Sequence, residues 1–331
     1  MRTWLAALAA GAMLVNQAVP AVSAQTARTR NRAAARRSAP SPEMVKNVFW
    51  QPNDLVQGSP AFFTVEFLRP ARRVSATWTG RQLSFFHTRN LKIWYALAGA
   101  DLETQPGSYD MEISATLTNG RAVRSVKKID VGAGTFGTGT VDVPENYVQP
   151  NAEEQRQIAA DQKLKDRAFG RATPQPEWSG NFAPPVSAKP TPSFGESRLL
   201  NEERTSTHRG TDYPTPEGTP ITAANSGTVV LATSLYYEGN CVIVDHGQKL
   251  FTIYMHLKQI DVHDGDVVKK GQRLGLSGAT GRVTGPHLHL GVRWNGANLD
   301  PVKLLALTLP AVPESAAASR RARHTRRPGR R

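Results

Sequence analysis

The run Gly285-Pro286-His287-Leu288-His289-Leu290-Gly291-Val292 alternates polar or small residues with aliphatic ones. A period of two is the signature of a β-strand with one face turned to a core. Leu288, Leu290 and Val292 form the apolar face, and His287, His289 and Gly291 share the other, which is polar and uncrowded. The pattern commits this part of the chain to a sheet and presents two imidazoles side by side on it.

Six of the eight histidines fall between His208 and His289. His208 and Asp212 are four apart, a spacing that is same-sided in helix and strand alike, and Gly210, Pro214 and Pro216 argue against a helix. Thr252, Tyr254 and His256 alternate with Ile253, Met255 and Leu257, which predicts a strand with His256 on the Thr252/Tyr254 face. Zinc takes imidazole nitrogen and carboxylate oxygen, and a catalytic zinc takes three protein ligands and keeps one position for water. His208, Asp212, His256, His287 and His289 are five candidates for those three positions, which leaves two residues for proton chemistry. A lone histidine is more often structural than a ligand. His246, at a turn in Asp245-His246-Gly247, reads as structural and His263, in a polar loop, as solvated; His87 and His324 lie outside the region and take no role.

Competing chemistries are mostly absent. There is no His-Glu-x-x-His helix motif. Ser277 lacks the second glycine of a nucleophile elbow. The glycine-rich run Gly278 to Gly285 lacks the lysine of a phosphate-binding loop and reads as a shaped loop leading into the His287 strand. The single cysteine, Cys241, lies in the apolar run Cys241-Val-Ile-Val244 and reads as a small buried hydrophobe, and no intramolecular disulfide is available.

Residues 192–302 resemble the LytM/lysostaphin-type zinc metallopeptidases. The matching stretches are Ser193-Phe194-Gly195, His208-Arg-Gly-Thr-Asp212-Tyr213, Gly218-Thr219-Pro220, Gly239-Asn240, Tyr254-Met-His256-Leu257, Gly265-Asp266, Gly271-Gln272 and Gly285-Pro-His-Leu-His289. The resemblance implies a small antiparallel β-fold, barrel-sandwich-like, with a groove. It implies one zinc per chain held by His208, Asp212 and His289, with His256 and His287 assisting catalysis. The implied reaction is hydrolysis of peptide bonds in peptidoglycan stems or cross-links. The alternative is a non-catalytic wall-binding activator of other hydrolases, which the complete ligand set disfavours. The segment Val262 to Gln272 also resembles the turns of lipoyl-like carrier modules, but no lysine stands at a hairpin tip.

The rest of the chain is organised around that region. Residues 1–24, with Arg2 before the apolar run Trp4 to Val15 and Val22-Ser23-Ala24 before Gln25, read as a secretory signal too short for a comfortable membrane span. The expected location is therefore periplasm, cell envelope or extracellular. Residues 25–42 read as a disordered basic linker and 43–134 as a β-domain. Its period-two runs are Phe63/Val65/Phe67, Val74/Ala76/Trp78, Leu91/Ile93/Tyr95/Leu97 and Tyr109/Met111/Ile113/Ala115/Leu117, with a hairpin turn at Asn119-Gly120, and they predict an immunoglobulin-like sandwich. Residues 135–191 form a linker, with a capping box at Asn151 and Glu154 opening a helix over 152–169 and an extended proline-rich stretch after it. The catalytic domain is expected over 192–308 and an Arg-rich disordered tail over 309–331, giving a mainly β protein.

The net charge of +14 invites a nucleic-acid reading that its distribution weakens. Five arginines at 28–37 and seven at 320–331 place most of the excess in two tails without aromatics. Such tails bind polyanions by charge alone, in a salt-sensitive way, so anionic wall polymers or a membrane surface are the expected partners and a specific nucleic acid is not. The oligomeric state is left open.

Overall fold

A computed structural model describes residues 44–312. The expected signal segment, the basic linker and the arginines of the carboxyl-terminal tail lie outside the described residues.

The amino-terminal half contains β1 (Val45–Gln51), β2 (Pro60–Phe67), β3 (Ala71–Trp78), β4 (Arg81–Ser84), β5 (Ile93–Gly99), β6 (Gly107–Leu117) and β7 (Ala122–Val131). They pair antiparallel as a β1-β2-β5 sheet and a β4-β3-β6-β7 sheet, an immunoglobulin-like sandwich in which β4 pairs with β3 in place of β5. Phe63, Val65 and Phe67 of β2 meet Val74, Ala76 and Trp78 of β3 and Met111, Ile113 and Leu117 of β6 in one buried core. Phe63 packs edge-on against Trp78 with ring centroids 5.2 Å apart. The β6–β7 hairpin turns at Asn119-Gly120, where Gly120 takes φ +86°, as the sequence predicts.

Strand β5 departs from its expected phase. Trp94, Ala96 and Ala98 are buried along with the expected Leu97, whereas Leu91, Ile93 and Tyr95 are only half-buried. The reason is that this sheet is covered on both faces: Phe62 and Tyr95, stacked at 5.7 Å, lie on the far side with Phe86 and Trp178. A strand buried on both faces loses its clean alternation.

The connecting region supplies β8 (Thr138–Val141) and α1 (Ala152–Phe169), and the segment that follows it opens with β9 (Ser197–Leu200) and β10 (Arg204–Thr207). β8 runs parallel to β9, with β10 antiparallel on its other side. The capping box forms: Asn151 Oδ1 accepts from the Glu153 and Glu154 amides at 2.9 and 3.1 Å, and Glu154 accepts from the Asn151 amide at 2.7 Å. Most helical stability in proteins comes from tertiary packing, and α1 is docked. Leu164, Ala168 and Phe169 pack onto Leu231, Cys241, Ile243 and Phe251, and buried Asp161 accepts the Tyr236 amide at 2.7 Å. The proline-rich stretch after α1 forms neither helix nor strand and is sewn down at intervals. Glu177 donates to the His246 carbonyl at 2.7 Å, Ala183 to that of Ala224 at 2.8 Å and Thr191 to that of Asp212 at 2.9 Å.

The remaining strands are β11 (Gly210–Pro214), β12 (Pro220–Thr222), β13 (Gly227–Leu235), β14 (Gly239–Asp245), β15 (Leu250–Ile260), β16 (Val267–Val268), β17 (Arg273–Ser277), β18 (His287–Trp294) and β19 (Ala297–Leu299), followed by α2 (Pro301–Ala306). They form an antiparallel sheet in the order β11-β18-β15-β14-β13-β16, with β12 and β17 paired and β17 joined to β15. One face buries Tyr213, Val242, Tyr254, Leu288 and Leu290. The other carries the groove.

Strand β15 changes partners midway. Leu250 to Met255 pair with β18, whereas Leu257 to Ile260 pair with β17. Between them Asn240 of β14 pairs with Leu257 and Val242 with Tyr254, so Met255 and His256 together oppose Cys241 in a bulge. His256 takes φ +64° there. Such bulges bend a strand and re-aim its side chains.

Candidate metal centre and catalytic groove

Register brings the site together. Asp212 pairs directly with His289 across β11 and β18, and His289 pairs with Met255 across β18 and β15. His208, just before β11, is held by its amide to the Glu196 carbonyl at 2.9 Å. Gly210 leaves the space the His289 ring occupies: a Cβ there would lie 2.3 Å from His289 Nε2. His256 reaches the groove through the bulge. The expected alternation would place it with Thr252 and Tyr254, which face the core; the added residue turns it to the side of Ile253 and Met255 and returns Leu257 to the core.

His208, Asp212 and His289 each offer one donor atom, all within 4.8 Å of one another. Asp212 Oδ1 lies 3.1 Å from His208 Nε2 and 2.9 Å from His289 Nδ1, and the two nitrogens are 2.9 Å apart. His208 Nδ1 donates to the Ser193 carbonyl at 2.8 Å, so a neutral ring turns the Nε2 lone pair inward. That lone pair faces a carboxylate oxygen and a second imidazole nitrogen, and one proton on His289 Nδ1 must be shared between two acceptors, the Asp212 oxygen and the His208 nitrogen. The donor set fits a cation.

The carboxylate is held from behind by Arg198, which donates to Asp212 Oδ2 at 3.0 Å and to Glu196 at 2.7 Å. Burial alone would raise the Asp212 pKa, but the hydrogen bonds and charges of His208 and His289 outweigh it and hold the group far below the usual carboxylate range. Burial lowers His289 against the hydrogen bond to Asp212.

His256 and His287 stand beside this cluster with ring centroids 5.0 Å apart. His256 Nδ1 donates to the Thr280 carbonyl and His287 Nδ1 to that of Gly285, both at 2.8 Å. Each ring is thus fixed in the tautomer that leaves Nε2 as an acceptor. Burial, reinforced by His289 and His287, lowers the His256 pKa to about 3. His287 Nε2 lies 3.6 Å from Asp212 Oδ1. All five residues line one groove of about 840 Å³, walled by β8, β9, α1 and the 282–286 loop.

The other candidates lie elsewhere. His246 is fully buried, bonded to the Ser226 carbonyl at 2.8 Å and to Thr252 Oγ1 at 2.7 Å, and burial lowers its pKa to about 4. His263 has a side chain 91% exposed. Ser277 Oγ is spent on the Pro216 carbonyl at 2.6 Å and the Thr219 amide at 3.0 Å. Cys241 is buried, which raises its thiol pKa. Arg198 is the polar partner that sequence reading missed; only the contact between β9 and β11 reveals it.

Two imidazoles and a carboxylate converge on one point, with two further imidazoles beside them in an open β groove, an arrangement that could hold a metal ion. Residues 206–301 match peptidase family M23, so this segment is a peptidase M23 domain. The chain is 38% identical over 154 residues to the peptidoglycan DD-endopeptidase ShyA of Vibrio cholerae, covering 45% of this chain and 32% of the relative. It is 47% identical over 94 residues to ShyC, another peptidoglycan DD-endopeptidase of that organism, covering 28% and 22%. It therefore spans about a third or less of the relatives it matches. A crystal structure from Pseudomonas aeruginosa assigned to peptidase M23 superposes with a TM-score of 0.59 at 28% identity, covering 76% of this chain and 94% of that one.

Proposed function

We propose that this protein is an exported zinc-dependent endopeptidase that hydrolyses peptide bonds in peptidoglycan stems or cross-links. The observation that carries the reading is the inward convergence of His208, Asp212 and His289 donor atoms within 4.8 Å on the floor of an open groove. Those three residues would hold one zinc per chain, which supplies a water of lowered pKa and polarises the scissile carbonyl. His256 and His287 act as the proton-handling pair. With Nδ1–H committed to a carbonyl, neither ring can donate from Nε2 until it has taken up a proton. The ring that accepts a proton from the attacking water thereby becomes the hydrogen-bond donor for the oxyanion or the leaving amine. Arg198 fixes the Asp212 carboxylate so that Oδ1 stays turned to the cluster. The sequence features of residues 1–24 support export, and the names of the relatives support peptidoglycan as substrate.

The test is zinc content together with mass spectrometry of fragments released from several purified wall types. His289→Ala loses the metal; His256→Ala keeps it and loses turnover. Protein with stoichiometric zinc that releases nothing from any wall type refutes the reading.

A further inference from the structure

Arg282 stands in the loop that also carries Thr280, the carbonyl anchor of His256, and ends at His287. Its amide donates to the Tyr237 carbonyl at 2.9 Å, and its guanidinium lies 4.8 Å over the Tyr237 ring. The loop is seated tightly: a Cβ on Gly281 would fall 2.4 Å from the Gly239 nitrogen. The side chain is half-buried and lines the same groove as the metal ligands.

The other cations of that groove are balanced. Lys165 pairs with Glu238, Arg198 with Glu196 and Asp212, and Arg209 with Glu103. Arg293 stacks on Phe169 at 4.5 Å, with Asp166 and Asp101 in charge range. Among the described residues no ion pair or side-chain hydrogen bond engages the Arg282 guanidinium. The charges nearest to it include two more cations, Arg204 and Arg198, and the neighbouring carboxylate, Glu238, is already held by Lys165. A guanidinium cannot discharge at any relevant pH, so a half-buried one without a counter-ion is a ready partner for an anionic ligand. Its planar fork fits a carboxylate with two parallel hydrogen bonds.

We infer that Arg282 is a specificity-determining residue that anchors a free carboxylate flanking the scissile peptide bond. This rests on the endopeptidase reading above and narrows its substrate. A cross-link made through the distal amine of a diamino diacid leaves the carboxylate on that same carbon free beside the new amide, whereas a lysine-type side-chain amine or an oligoglycine bridge has no free carboxylate there. The groove therefore selects direct, carboxylate-flanked cross-links.

The test compares two cross-linked muropeptide dimers, one with the free carboxylate beside the scissile amide and one with that carboxylate converted to the primary amide. The zinc-loaded full chain cleaves the first about 10- to 100-fold more efficiently in kcat/KM, the range for a charged hydrogen-bonded contact. Arg282→Gln brings the ratio toward 1, and Arg282→Lys retains part of it. A merely structural defect slows both dimers together and leaves the ratio in place. A wild-type ratio near 1, or a preference that survives Arg282→Gln, overturns the inference even while cleavage continues. Calorimetry on the zinc-loaded His256→Ala chain reads binding apart from turnover. Carboxylate-selective binding that needs Arg282, with neither dimer cut by wild type, refutes the endopeptidase reading and leaves the anchor standing; no binding and no cleavage refutes both.

Discussion

Gly210 faces Gly291 across the β11–β18 ladder, and replacing it with alanine tests how the proposed metal ligands are held. The new methyl would lie 2.3 Å from His289 Nε2, 2.6 Å from its Cε1 and 2.5 Å from the Leu290 carbonyl oxygen. Ordinary contacts begin about 1 Å further out. Neither neighbour can yield easily. The Leu290 oxygen is backbone in a strand paired on both sides, and His289 is fixed by its bond to Asp212 at 2.9 Å. Overpacking of this kind costs about 1–3 kcal/mol, which for a domain of this size lowers Tm by roughly 2–10 °C. Because the displaced ring belongs to the proposed zinc site, zinc affinity is expected to fall about 10- to 100-fold as well. Gly291→Ala is the control, since its nearest contact would be Ile253 Cβ at 3.4 Å, an ordinary distance. Scanning calorimetry with and without zinc, and competition with a chelator, read both effects. If Gly210→Ala matches wild type in Tm and zinc affinity, or Gly291→Ala costs more, the close-approach argument is wrong.

Arg198→Met strips the donor from Asp212 Oδ2, and zinc affinity is expected to fall about 10-fold or more with little loss of fold; unchanged chelator competition counts against a positioning role. His246 is held neutral by burial, with a pKa of about 4 against about 6.5 in the unfolded chain. Between those values the unfolded state binds a proton that the folded state does not, so stability rises with pH across that window and about 3 kcal/mol is lost on acidification through it. His246→Gln flattens that part of the denaturation profile, and an undiminished slope assigns the loss to other groups. Asn151→Ala removes the α1 cap at a cost of about 1 kcal/mol, read by chemical denaturation and by faster amide exchange in α1; protection equal to wild type shows that docking alone holds the helix.

The β18 alternation was legible because one face meets a core and the other a groove, and each requirement leaves its own residue type. The Asn119-Gly120 turn and the Asn151 capping box were legible for a similar reason: each is a local bargain among neighbours in sequence. His256 was identified as a candidate, but not by the route that delivers it. Its bulge depends on β15 leaving β18 for β17, a decision made by strands tens of residues away. Arg198 was invisible because its partner lies across a sheet edge. The phase of β5 and the burial of Trp178 were hidden alike, since the surface that covers them comes from the other half of the chain.

That covering surface has a consequence for inheritance. Phe62, Phe86, Trp178, Trp294 and Leu299 belong to one continuous core shared by the sandwich and the groove-bearing sheet. A genetic exchange that transplanted the groove alone would carry an uncovered aromatic patch into its new host, and the abandoned sandwich would keep the matching one. In this chain a substitution along the seam is felt by both halves at once, so their stabilities are coupled there.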